Sequence, residues 1–129
     1  MSENPGVRAL IGYDIVEGVS VADYEHWLAE VHYPDLLSNP FLERLVTNDV
    51  IRPLPSTLVG APMPDEREPF YRVVELHFAD RDAYDSYLEW FELNPIPPER
   101  GPEGRTDTRF CVLTESAVAD RTHPYEPPL

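Results

Sequence analysis

The chain has 129 residues, enough for one domain around a single core and too few for two cores of ordinary size. Acidic side chains number 24 against 10 basic ones, a formal charge of −14, so the basic footprint that nucleic acid or an anionic membrane surface requires is missing. Every basic residue is arginine, which excludes a Schiff-base lysine, an internal lysine for pyridoxal phosphate and a phosphate-loop lysine. The one cysteine, Cys111, excludes an intrachain disulfide and a cysteine-based zinc site.

The hydrophobic fraction of 42% is that of a globular chain, and no apolar run reaches the length that spans a membrane. The polar start MSENPG lacks the regions of a signal peptide, so the expected compartment is cytoplasmic.

Residues 1–7 are polar and are expected to fray. Arg8 to Val16 alternates Ala9, Ile11, Tyr13 and Ile15 against Leu10, Gly12, Asp14 and Val16, which reads as a strand. Ser20 with Asp23 three residues on gives a helix start. Tyr24, Trp27, Leu28 and Val31 recur at i, i+3, i+4 and i+7 and line one helical face. The stripe ends in His32, Tyr33 and Pro34, and the proline predicts that the helix stops near His32. An irregular connection should follow, with Leu36 and Leu37 packing back on the core.

Leu42 to Ile51 reads as a second strand. Pro53 to Pro69 is a 17-residue loop with five prolines, long enough to be a lid or a disordered segment. Tyr71 to Phe78 is the clearest strand, with Arg72, Val74, Leu76 and Phe78 on one side and Val73, Glu75 and His77 on the other. Asp80 then caps a second helix striped by Ala83, Tyr84, Tyr87, Leu88 and Phe91, which Asn94-Pro95 stops. A Pro/Gly-rich connection leads to a fourth strand, Thr108 to Thr114, and a polar tail from 116 to 129.

The order β-α-β-β-α-β predicts an α+β, ferredoxin-like domain over residues 8–115: a four-stranded antiparallel sheet with two helices on one face. The other face also carries apolar groups, Val73 among them, and a second copy of the sheet is the simplest cover, so a homodimer is expected.

The spacing Tyr24-x-x-Trp27-Leu28-x-x-x-His32-x-Pro34, followed by Asn39-Pro40-x-Leu42-x-Arg44, resembles the EthD-like branch of the dimeric α/β barrel superfamily. VELHFADRDAYDSYL is similar to the third strand and second helix of that superfamily, and the likeness covers about residues 8–115. It implies a dimer of facing sheets, with a cavity in each subunit between sheet and helices and a histidine of the first helix at that cavity. Relatives include cofactor-independent polyketide cyclases, lactone isomerases, quinone-forming monooxygenases, hydroxynitrile lyases and haem-degrading enzymes, so the fold fixes little about the reaction. The long proline-rich loop and the insertion before the fourth strand depart from the family pattern.

His32 is the leading catalytic candidate, because an imidazole takes and returns a proton at neutral pH; the alternative is a helix cap favoured by the macrodipole. Tyr13 is a candidate hydrogen-bond donor to a substrate oxygen. Tyr24, Trp27, Leu28, Val74 and Leu76 are candidate pocket walls, or simply core. Arg72, on the strand face that meets the helices, either binds a carboxylate or phenolate or neutralises an internal acid such as Asp14. Glu75 and His77 share the opposite face as an acid/base pair or as interface hydrogen bonding. His26 reads as surface, and its angular separation from His32 forbids a shared metal, so no metal is expected; with the resemblance to cofactor-independent relatives, no other cofactor is expected either. Cys111 in an apolar strand reads as inert core. Three functions fit: a cofactor-independent cyclase, isomerase or lyase acting on an aromatic, polyketide-like or lactone metabolite; a cofactor-free monooxygenase of an electron-rich aromatic; or a non-catalytic binder of a hydrophobic small molecule.

Overall fold

The computed structural model describes residues 6–51 and 70–127, and the proline-rich segment 53–69 lies outside them. Four strands, β1 (Val7–Ile15), β2 (Arg44–Asp49), β3 (Arg72–Phe78) and β4 (Thr106–Glu115), form one antiparallel sheet in the order β2-β3-β1-β4. β1 and β3 are central, as their burial-ready alternation demands, and β1 starts one residue before the sequence pattern because Val7 is buried in the core. Ala9, Ile11 and Tyr13 lie opposite Leu76, Val74 and Arg72, and this set faces the helices.

Against β4 the register slips at one point. Gly12 pairs with Phe110, yet Tyr13 pairs with Thr108, a bulge that leaves one extra residue on β4. A Cβ on Gly12 would collide with the Phe110 ring, which lies across that glycine on the helix-free face.

Ser20 starts α1 (Val21–Trp27), its Oγ accepting the Asp23 N–H at 3.1 Å. The helix does not stop at His32. Leu28–His32 forms a widened π turn, with the Tyr33 N–H bonded to the Leu28 carbonyl five residues back, and α2 (Tyr33–Leu37) continues beyond it. Pro34 breaks a helix interior because it lacks an N–H and crowds the carbonyl four residues back. The wider turn makes Pro34 a first-turn residue of α2, where no N–H is needed. Leu36 packs against the core as expected, whereas Leu37 is half exposed.

Asp80 starts α3 (Arg81–Leu93), its Oδ1 accepting the Ala83 N–H at 2.8 Å. Tyr84, Tyr87 and Phe91 pack edge-on in a series that begins at Phe78. Leu88, expected in that stripe, is exposed, because it lies about 100° round the helix from Tyr87. Asn39, almost wholly buried, ties the connection after α2 to α3: its Nδ2 donates to the Tyr87 carbonyl and its Oδ1 accepts the Phe41 N–H, each at 3.0 Å.

The helix-free face of the sheet carries Leu10, Val73, Phe110 and Val112 beside a polar group on β1, β2 and β3. There His77 Nε2 lies 3.0 Å from Glu75 Oε1, Arg44 Nε donates to His77 Nδ1 at 2.9 Å, and Asn48 donates to Glu75 at 2.8 Å. Edge strand β4 is exposed along almost its whole length, Phe110 and Val112 included. No helix among the described residues is long and apolar enough to cross a membrane.

Candidate functional site

A cavity of about 220 Å³ lies between the sheet and the first helical segment. β1 contributes Ile11 and Tyr13, α1 Tyr24, the π turn Leu28 and His32, and α2 Tyr33 and Leu36. β3 supplies Val74 and Leu76, β4 supplies Thr106, Thr108 and Cys111, and Pro102 closes one side. The lining holds neither a carboxylate nor a guanidinium, in a chain whose surface is strongly acidic. Apolar walls with a few convergent polar groups are the usual form of a small-molecule site.

His32 meets this cavity with its ring stacked on Trp27, centroids 4.6 Å apart and planes 13° from parallel. Its Nδ1 is sealed from solvent and has no hydrogen-bond partner, which leaves Nε2 as the nitrogen that can be reached. Burial holds the imidazole pKa below the ordinary 6.5; Asp35 opposes the shift and the Arg105 charge adds to it. The ring is therefore neutral at pH 7, the form that accepts a proton.

In the same lining the Tyr13 and Tyr33 hydroxyls are 3.4 Å apart, and Tyr24 Oη lies 2.7 Å from Thr106 Oγ1. Burial pushes the Tyr13 phenol up to about 12 and raises Tyr33 and Tyr24 as well. These groups are donors at neutral pH, and none is a base.

Arg72 does not line the cavity. Only 7% exposed, it lies behind the phenols: Nε donates to Asp49 Oδ1 at 2.7 Å, and a terminal nitrogen is 3.1 Å from Glu25 Oε2, which also accepts the Tyr71 hydroxyl at 2.7 Å. The internal acid is therefore not Asp14, which pairs with Arg109 at 2.8 Å on the exposed side of the sheet edge. Burial disfavours the Arg72 charge, but electrostatic contact with Tyr13 and Tyr33 favours it, so the guanidinium in turn favours developing negative charge on that phenol pair.

Of the pocket residues expected from the sequence, Tyr13, Tyr24, Leu28, His32, Val74 and Leu76 share the cavity. Trp27 stands behind His32, with its Nε1 donating to the Arg100 carbonyl at 3.1 Å. Glu75 and His77 lie on the helix-free face and are separated from the cavity by the sheet. Cys111 is exposed and borders the cavity, because it sits on the edge strand where only one neighbour covers it. Among the described residues, no three His, Cys, Asp or Glu side chains are grouped to hold a metal ion.

Two solved structures share this architecture. HapK from Hahella chejuensis matches with a TM-score of 0.52 at 12% identity, over 95% of this chain and 99% of its own. A hypothetical Arabidopsis thaliana protein, solved in solution, matches with a TM-score of 0.52 at 12% identity, over 93% of this chain and 96% of its own. The shared fold is the ferredoxin-like α+β arrangement of a four-stranded antiparallel sheet with helices on one face. No family model matches the chain, and no curated protein matches it in sequence. At such identity the likeness concerns the backbone, and the site has to be read from its own residues.

That reading adds three residues that spacing alone missed. Tyr33 was visible beside His32, but its place in the cavity depends on helix continuing past Pro34. Glu25 and Asp49 anchor Arg72 from two separate elements, and no local pattern joins residues so far apart.

Proposed function

We propose that this chain is a small cofactor-independent enzyme of the EthD-like branch that acts by general acid/base chemistry on an aromatic, polyketide-like or lactone metabolite. The observation that carries the reading is the neutral, cavity-lining His32 in the same uncharged cavity as a pair of phenolic donors. His32 Nε2 removes a proton from the carbon beside a carbonyl, and Tyr13, coupled to Tyr33 and backed by Arg72, donates a hydrogen bond to the oxygen that gains charge. Returning the proton to a second carbon completes an isomerisation; attack of the enolate carbon on a second carbonyl, whose oxygen takes the proton, completes a cyclisation; expulsion of a group β to the carbonyl, which takes the proton, completes a lyase step. In the oxygen-using variant of this chemistry, the same base would generate an electron-rich anion that itself reduces oxygen.

The helix-free face, with exposed Phe110 and Val112, is assigned to a second copy of the chain. The sealed Nδ1 of His32 favours a second reading: a base without an orienting hydrogen bond also suits a plain binder of a hydrophobic small molecule.

The test is solvent-deuterium exchange into a panel of uncharged enolisable aromatic ketones and lactones, followed by NMR for wild type and His32→Gln. Exchange that His32→Gln abolishes supports the enzyme reading. Exchange at an unchanged rate in the variant removes His32 as the base, and saturable binding without exchange favours the binder.

A further inference from the structure

Imidazoles that work as bases are ordinarily held by a hydrogen bond that the far ring N–H donates, usually to a carboxylate or a backbone carbonyl. His32 has no such partner: its Nδ1 is sealed and unbonded. Another element must fix the ring plane. Among the described residues, the only ring lying flat against it is Trp27, five residues earlier in the same helical segment.

In a regular α-helix, residues five apart point about 140° from each other and their side chains cannot stack. Trp27 and His32 stack because the intervening turn is the π turn, in which the Tyr33 N–H reaches back five residues to Leu28. That turn is also what admits Pro34, exposed and at the start of α2. One proline thus selects the backbone geometry that stacks the imidazole.

The indole is fixed in turn. Its Nε1 donates to the Arg100 carbonyl at 3.1 Å, and the Arg105 guanidinium lies 5.1 Å from its ring centroid. Arg100 is clamped by Asp35 of α2 through two bonds of 2.9 Å, and Arg105 donates to the Gly101 carbonyl at 2.8 Å. The connection before β4 therefore grips the same helical segment that carries His32.

We infer that Pro34 and Trp27 are positioning residues for His32: the proline-enforced π turn lays the imidazole on the indole and so presents Nε2 to the cavity without a hydrogen-bonded orienting partner. This rests on the reading of His32 as the base, and its test is made on the ring's geometry so that the two can fail separately. Charged groups facing His32 are Asp35 from α2 and Arg105 from the connection before β4, so any change of titration has to be read with both in place.

The experiment follows the His32 imidazole protons by NMR through a pH titration of the full chain without ligand, with His32→Gln supplying the assignment. In wild type the stack should displace these resonances upfield, with a midpoint below 6.5. Pro34→Ala, at an exposed position, should keep the helix by circular dichroism, lose the upfield displacement and shift the midpoint upward. Trp27→Phe, which keeps an aromatic face, should hold the midpoint near wild type, whereas Trp27→Leu should raise it. Wild-type displacement and midpoint in a folded Pro34→Ala would overturn the role of the proline. Equal midpoints for the phenylalanine and leucine variants would overturn that of the indole. If His32→Gln instead retains full exchange activity while these ring signals behave as described, the functional reading fails and the positioning stands.

Discussion

Arg72 and its two carboxylates form an unequal partnership that mutation can expose. The arginine side chain is 9% exposed, whereas Glu25 is 41% and Asp49 74% exposed. Replacing Arg72 with methionine keeps most of the buried stem and frees two carboxylates that water can rehydrate where they stand. The loss is then that of partly screened, charge-assisted hydrogen bonds, about 1 kcal/mol. The double change Glu25→Gln, Asp49→Asn leaves a guanidinium that cannot lose its proton in a site that water barely reaches. Breaking a buried pair this way costs 3–5 kcal/mol at full burial; the amide oxygens still accept hydrogen bonds here, so about 2 kcal/mol is expected. The unfolding entropy of a chain this size is about 0.27 kcal/mol/K, which converts these figures to falls in Tm of about 4 °C and about 7 °C. Thermal and urea unfolding at pH 7 and one fixed protein concentration measures both. A methionine variant that loses as much stability as the double amide variant, or more, refutes the claim that Arg72 is a buried charge dependent on exposed anions.

Further outcomes follow from other parts of the molecule. Because the folded-state pKa of His32 lies below 6.5, the native state binds fewer protons than the unfolded chain in the window below that value, and stability is lost as pH falls through it. Urea midpoints from about pH 7.5 to about pH 5 should therefore drop more steeply in wild type than in His32→Gln, and parallel curves would show that the imidazole is not buried neutral. Asn39→Ala removes a buried partner of the Tyr87 carbonyl and the partly buried acceptor of the Phe41 N–H, and should cost about 2 kcal/mol in urea unfolding. If the proposed dimer forms through the helix-free face, wild type has a dimer's mass by light scattering and Val112→Arg, beside Phe110, has a folded monomer's; a monomeric wild type or an unchanged mass in the variant would remove that face as the interface.

The sheet was legible because its signals are local. Alternation in Arg72–Phe78 and β1, the Ser20 and Asp80 caps and the Asn94 stop each act within a few residues, and all stand where the pattern put them. The first helix was misjudged at Pro34 because the rule against interior proline assumes α geometry, and a π turn escapes it. The cavity was half legible. His32, Tyr13 and Tyr24 announce themselves by residue type, but the partners of Arg72 come from α1 and β2, and their meeting is a property of the tertiary fold. Cys111 was read as core from its apolar neighbours in sequence, which says nothing of whether a strand lies at the edge.

The bulge at Gly12 and Tyr13 governs the chemistry of the cavity more than its size suggests. With an unbroken register, Tyr13 would face Arg109 and Ile15 would face Asp107, and the alternation of β4 would turn both charges toward the helices. One extra residue on β4 exchanges them for Thr108 and Thr106, which line the cavity, and leaves Arg109 outside to bind Asp14. Deleting Thr108 would close the bulge, set Arg109 opposite Tyr13 and bring a positive charge into a lining that now has none.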